Sequence, residues 1–423
     1  MALGVPVDAP KGHRGESIGA PECLSRWSKA VEQTHLFLER LRAYPEGQVR
    51  HVLLRFCLDA CRVVHLLRST EYEEAGDSPA SLRARLQEAT QDLLGTGISE
   101  SIWEQVCLPI RLGGLGISDP HVVQPSARIA ALVNLGRNGT SAVGIPADVL
   151  LTPAPDLQVT LSKLQAQLGS NIDPLERWVL GTSTLASATD EHATQKWWAE
   201  RVYDIQSQQL DSQGPARDRT RRMCQKGTVA TGWLSVVPSR VRHTDIPDAD
   251  FRLLLKWWLG LPILPTGAVL LGCPLCQASL DPFGDHFVCC EQNGCTKRHN
   301  AFRNAFFAVC VQHGLAAEME AECVTGRRPA DILLLQWSRG QHVAVDFVCS
   351  HPAGLAEHPL VVDNAAKHCN RVEALKVRKD GPPCEEMGWG FSPFAMSTWG
   401  GLGSSAKAVL FEVTKRATAD LKG

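Results

Sequence analysis

The chain has 423 residues, 44% of them apolar, which is enough to bury a sizeable core and suits two or three domains better than one. A formal net charge of −2 and an isoelectric point near 6.7 exclude a global basic field, so any contact with nucleic acid has to rest on local patches. Fifteen cysteines are well below the density of a disulfide scaffold, and the opening MALGVPVDAPKGHRG has no apolar signal core, which predicts reduced thiols in a nuclear or cytoplasmic protein that is not secreted.

From Leu24 to about Leu94 the apolar spacing is helical, through LSRWSKAVEQTHLFLERL, VRHVLLRFCLDACRVVHLL and SPASLRARLQEATQDLL, the last with Ser78 as N-cap and Pro79 at the first helical position. A glycine-rich turn, LPIRLGGLGISDP, leads into another helix. From about Asn138 to about Ser212 the chain is rich in Pro, Ser and Gln with weak periodicity, which predicts a loosely packed connector. The cluster Arg217, Arg219, Arg221, Arg222 and Lys226 could meet phosphates, with Arg221 and Arg222 as the nucleic-acid-binding candidates; a solvated helix face is the alternative. The most apolar window, LLLKWWLGLPILPTGAVLLG, is interrupted by Lys256, Pro262 and Pro265, so no membrane span and no membrane partner are expected. Trp233, Trp257 and Trp258 read as core before they read as base-stacking platforms.

The stretch CPLCQASLDPFGDHFVCC, residues 273–290, contains a Cx2C knuckle at Cys273 and Cys276 and an Hx3C pair at His286 and Cys290. Two short pairs of thiol and imidazole ligands across a small loop suit tetrahedral Zn2+, which can fold a segment too small to hold its own core. Cys289 is the chief rival of Cys290 for the fourth position, with Cys295 and His299 also near, and buried free thiols are the plain alternative. The spacing implies no open coordination position, and no HExxH-type base is present, so the zinc would be structural and the chemistry should lie elsewhere.

After KRHN (297–300), AFRNAFFAVCVQH puts Phe302, Phe306, Val309 and Cys310 on one helical face and ends at Gly314. Lys297, Arg298 and Arg303 could hold a DNA backbone here; ordinary surface charge is the alternative. Three strand-like runs follow, AAEMEAECV, ADILLLQW and HVAVDFVCS, then a helix containing NRVEALKVRK, a strand around WGFSPFAMS and a last helix from about Ser404. The α-β-β-β-α-β-α order predicts an α/β core with a central mixed sheet. Ser404 and Ser405 after GGLG lack a GxxxxGK[ST] pattern, so the glycines read as a turn. Asp331 opens the second strand and Asp346 lies inside the third, with fourteen residues between them. Two carboxylates on neighbouring buried strands suggest a shared hard cation such as Mg2+; aspartates that merely end strands or cap turns are the alternative from spacing alone.

Taken together, GDHFVCC, KRHN, RRPADILL, VAVDFVCSHP, VEALKVRKD and GFSPFAMSTWGGLG resemble the C-terminal part of non-long-terminal-repeat retrotransposon proteins that carry a Cys-Cys-His-Cys zinc knuckle and a restriction-like endonuclease of PD-(D/E)XK type. The resemblance implies that Asp331 and Asp346 bind the catalytic Mg2+ or Mn2+. It implies that Lys376 takes the role of a lysine displaced to the following helix, with Lys379 close to the same face. It also implies a further glutamate from Glu318, Glu320 or Glu322, of which Glu320 is favoured. The implied partners are a DNA target and the element's RNA, and the implied outcome is a nick whose 3′-hydroxyl primes reverse transcription. ALGVPVDAPKG and LPIRLGGLGI resemble the thumb and connector that follow a reverse-transcriptase palm, whereas no YxDD-type turn occurs, which suggests a C-terminal fragment of a longer polyprotein or a derelict copy.

The expected organisation is multidomain. A mostly α, thumb-like half (1–137) precedes a connector with the basic cluster (138–245), a zinc-knuckle region (246–296) and an α/β nuclease-like domain (297–423). The sequence departs from the family at Ala330, between Pro329 and Asp331, at Val348, where related nucleases keep a lysine, and at Asp380, where an aromatic is common. Besides the endonuclease, two readings stand: an inactive, zinc-stabilised nucleic-acid-binding remnant, and a zinc-stabilised interaction protein.

Overall fold

The computed structural model describes residues 20–70, 78–143, 155–169, 194–265, 267, 272–322, 326, 328–338, 340–352 and 365–420. The chain divides into two compact units, Met1–Ser212 with Leu234–Leu255, and Gln213–Trp233 with Lys256–Gly423. The expected knuckle and nuclease-like segments therefore share one unit, and the basic cluster belongs with them. ALGVPVDAPKG lies outside the described residues. Among the described residues no helix is long and apolar enough to cross a membrane.

In the first unit the described elements are helical: α1 (Ala20–Arg42), α2 (Gly47–Leu53), α3 (Val64–Ser69), α4 (Ser78–Leu94), α5 (Glu100–Cys107), α6 (Pro120–Val143), α7 (Pro155–Leu168) and α8 (Gln195–Ser212). α1 packs on α4, α3 on α6, and α8 on both α6 and α7, burying Trp27, Leu82, Leu93, Trp103 and Ile129. Some of the buried polar groups are paired inside the unit: Asp119 accepts from Trp103 Nε1 and Arg83 Nε, each at 2.8 Å, and Trp27 Nε1 donates to Thr70 Oγ1 at 2.8 Å. The glycine-rich turn is needed as written, because a Cβ at Gly114 would stand 1.9 Å from the Leu108 carbonyl oxygen. The loosely packed connector is corrected in part, since α8 buries Trp198, Val202, Tyr203 and Leu210.

The second unit is built from α9 (Ala216–Cys224), α10 (Thr228–Ser235), α11 (Asp248–Leu259), α12 (Asp285–Cys289), α13 (Cys295–Gln312), β1 (Ala317–Met319), β2 (Ile332–Ser338), β3 (Gln341–Ser350), α14 (Ala365–Glu386), β4 (Gly390–Ser397) and α15 (Ser404–Asp420), with the unit boundaries falling inside α10 and α11. The four strands form a mixed sheet in the order β1-β2-β3-β4, antiparallel except for the parallel pair β3–β4. From α13 onward the element order is the α-β-β-β-α-β-α read from the sequence. β1 is shorter than AAEMEAECV suggested, because the backbone at Glu320 turns to φ +51° and leaves the strand.

Side chains alternate across a strand, and both faces of this sheet are covered. Val343, Val345 and Phe347 join Ile332, Leu334, Phe306 and Phe394 on one face, with ring centroids of Phe347 and Phe394 5.0 Å apart. Ala344 packs on the other face with Leu333 and Cys384, the last from α14. Asp346 has the parity of Ala344, so its carboxylate points to the α14 side of an otherwise apolar strand. The GGLG segment is a turn whose helix N-terminus is already occupied: Glu373 of α14 accepts from the backbone N–H groups of Ser405 at 3.0 Å and Ala406 at 2.9 Å. A Cβ at Gly403 would overlap that carboxylate at 2.1 Å, so any larger residue would push Glu373 off the helix N-terminus.

Candidate functional site

The cysteine loop folds around its own polar atoms. Cys273 N–H donates to the Ala278 carbonyl at 2.8 Å and Gln277 N–H to the Cys273 carbonyl at 2.9 Å, which closes the knuckle turn. Asp281 accepts from the backbone N–H groups of Phe283 (2.9 Å), Asp285 (3.0 Å) and His286 (2.7 Å), capping the short helix that carries His286. The ligand atoms of Cys273, Cys276, His286 and Cys290 thereby lie within 4.8 Å of one another, with Cys276 Sγ 3.2 Å from His286 Nε2 and Cys273 Sγ 4.0 Å from Cys290 Sγ. Desolvation works to raise the Cys273 thiol, yet the N–H groups of Cys276 and Leu275, with the His286 ring, bring it down to about 6. Three sulfurs and an imidazole, one sulfur already favoured as thiolate, fit Zn2+. Cys290 is the fourth member: Cys289 is exposed, Cys295 donates its thiol to the Cys290 carbonyl at 3.4 Å, and His299 is engaged elsewhere.

The second constellation lies on the sheet. Asp331 precedes β2, with its N–H bonded to the Val345 carbonyl at 3.1 Å, and its Oδ2 accepts from Phe347 N–H at 2.7 Å, which ties it to the β3 backbone on both sides of Asp346. Lys376, from α14, reaches Asp346 Oδ2 at 2.6 Å and Asp380 Oδ2 at 3.6 Å. Burial raises the Asp346 carboxyl to about 6; Lys376 opposes the rise, and the charges of Asp331 and Asp380 add to it. Burial also works to lower the Lys376 ammonium, but its hydrogen bond to Asp346 and the nearby acids win and raise it. The opposed pair is thus a buried carboxylate held beside a charged lysine, within reach of two more acids.

Lys376 of the second constellation lines a cleft of about 710 Å3 together with, among others, Cys289, Cys295, Arg298, His299 and Ser350; the two aspartates and the four ligands of the cysteine loop are not among its lining residues. No protein-family model matches the sequence, and no curated protein is similar to it. What the site can do therefore rests on its own geometry. That geometry brings together Asp331, Asp346 and Lys376 and corrects several other expectations. Glu320 is held by Arg303 and, at 2.9 Å, by Arg328, so its carboxylate is spent on arginines and not on the aspartates. Glu318 and Glu322 are exposed, the latter bonded to Arg328 at 2.7 Å. Lys379 stands exposed on α14; the helix residue that joins Lys376 is Asp380, one turn on.

The basic candidates separate by burial. Arg221 is 1% exposed, with its guanidinium on the Trp258 carbonyl and, at 3.1 Å, on Gln225 Oε1, so it is an internal strut that no phosphate reaches. Arg222 donates to the Gln213 carbonyl at 2.7 Å. Their neighbour Arg217 clamps Asp285 through Nε and, at 2.8 Å, Nη2, while covering the Phe283 ring at 4.1 Å. Arg303 is turned to Glu320. Lys297 remains exposed, and Arg298 lines the cleft while donating to the Val288 carbonyl at 3.0 Å. Of the tryptophans read as core, Trp258 is buried, with Trp233 edge-on at 5.6 Å, while Trp233 and Trp257 are half-buried, Trp257 lying 6.0 Å from Trp399. Sequence reasoning missed the bond from His299 to Asp331 and the contact of Asp285 with the His351 ring at 3.4 Å. The only sequence signals for them were a histidine in the KRHN start of α13 and an aspartate beside His286.

Proposed function

We propose that the second unit is a metal-dependent DNA endonuclease of the restriction-like PD-(D/E)XK type, which nicks a DNA target in the service of reverse transcription. The observation that carries the reading is the pairing of Lys376, from the helix after β3, with Asp346 of β3, beside Asp331 just before β2, with Lys376 lining the cleft. Asp331 and Asp346 would hold Mg2+ or Mn2+, which when bound supplies charge neutralisation on a phosphodiester and a more acidic water. Lys376 holds a positive charge beside the acids and can stabilise the negative charge that builds on a phosphate, a contribution that grows where water is excluded. Lys297 and Arg298 at the mouth of α13 are suited to the strand backbone. Cys289, next to Cys290 of the zinc set, lines the same cleft.

The test is incubation of the full chain with supercoiled plasmid and Mg2+ or Mn2+, with EDTA controls and analysis of the ends. The expected product is a nicked circle that DNA ligase reseals, because hydrolysis should leave a 3′-hydroxyl and a 5′-phosphate; nicking that persists in EDTA contradicts the reading. A second reading, nucleic-acid binding without turnover, is favoured by Asp380, whose carboxylate shares Lys376 at 3.6 Å and adds negative charge where a phosphate would lie. It expects retained, salt-sensitive DNA binding and no nicking.

A further inference from the structure

The geometry points to His299 as a positioning residue that fixes Asp331 for cation binding and ties that aspartate to the zinc loop, an inference that rests on the endonuclease reading. His299 Nε2 lies 2.9 Å from Asp331 Oδ1. An aspartate oxygen can only accept here, so Nε2 carries the hydrogen and the ring donates. The other oxygen, Oδ2, is held by Phe347 N–H at 2.7 Å, so each carboxylate oxygen has one donor and the plane of the group is set from two directions. One of these donors is backbone and survives any substitution. The other is a side chain from a different element.

That element begins at the cysteine loop. α13 starts at Cys295, whose thiol donates to the Cys290 carbonyl at 3.4 Å, and Arg298, next to His299, donates to the Val288 carbonyl at 3.0 Å. Both acceptors belong to the Hx3C arm of the zinc set, so closing the loop on a metal fixes the first turns of α13 and with them the ring of His299. His299 also lines the cleft beside Lys376, with 31% of its side chain exposed. Groups that orient a metal-binding carboxylate from behind act on affinity and activity without touching the reacting atoms.

The experiment measures Mn2+ binding to the zinc-loaded full chain without DNA, by electron paramagnetic resonance of free Mn2+, alongside plasmid nicking, zinc content and the thermal transition. Mn2+ is a poor competitor for the thiolate set, so the two metals report separately. His299→Ala is expected to weaken Mn2+ binding and slow nicking by about 10- to 100-fold, with zinc content and thermal transition kept. His299→Gln, whose Nε2 can still donate, should fall closer to the parent. The inference is overturned if His299→Ala binds Mn2+ as the parent does, or if Gln at this position restores nothing. A parent that neither binds Mn2+ nor nicks overturns the endonuclease reading and this inference with it, whereas a nicking parent with an indifferent His299→Ala overturns the inference alone.

Discussion

Asp346 carries its carboxyl at about 6 because burial outweighs the Lys376 ammonium and two more acids stand near. A raised carboxyl is protonated below that pH, and a proton and a cation compete for it. Mn2+ affinity is therefore expected to be flat above pH 7 and to fall about tenfold per unit of pH below about 6, one proton being taken up for each cation lost; an affinity unchanged between pH 5 and 7 would sink the assignment. Arg221 makes the opposite kind of prediction. Its hydrogen bonds to Trp258 and Gln225 are buried, so Arg221→Ala should cost about 2–3 kcal/mol of stability and leave the salt dependence of DNA binding unchanged. Lys297→Ala should do the reverse, lowering the salt slope by about 1 at constant stability, and a shared outcome for the two variants would contradict the division of roles. Nothing in ARDRTRRMCQ distinguishes a strut from a phosphate contact, because both require a cation and only burial separates them. Asp346 stood out because a charge inside VAVDFVCS breaks an apolar run and demands a partner, but its assignment with Asp331 to a shared cation came from the resemblance and not from spacing. Glu320 did not, because the arginines that occupy it, Arg303 and Arg328, flank it in sequence and gave no sign of pointing inward.

The strands and helices from α13 onward were read from apolar runs and helical spacing, and the sheet follows them because the runs of β2 and β3 are covered on both faces, whereas the edge strand β1 is largely exposed. α8 escaped that reading since its buried Trp198, Val202, Tyr203 and Leu210 are set among glutamines in a helix of weak amphipathic contrast. The cysteine loop is the element most exposed to a test. Its apolar cluster is Cys273, Leu280 and Cys290 with a few partly buried neighbours, too small to hold the segment unaided. Cys273→Ser, or chelation of the parent, should release zinc and open the backbone of residues 272–294 to hydrogen exchange, while the sheet amides of β2 and β3 stay protected. Exchange in the loop that does not respond to chelation would show that the thiols are packing groups.

The two units interleave along the chain, since 213–233 belongs with 256–423 while 234–255 returns to the helical unit. A fragment starting at 256 would lack α9, and so lose Arg217 from Asp285 and Arg221 from Trp258. Such a fragment is expected to lose cooperative unfolding, whereas the full chain keeps it; a cooperative fragment would mean that those bonds contribute little. The net charge of −2 gives no global attraction to DNA, so binding has to come from the cleft and its rim and should weaken steeply with salt. The central claim is that Asp346 holds the cation that cleaves DNA. Its most direct measurement is the plasmid nicking rate of Asp346→Asn against the parent in Mg2+, at matched zinc content and with both proteins folded. The expected result is a loss of at least about 100-fold; equal rates would contradict the claim.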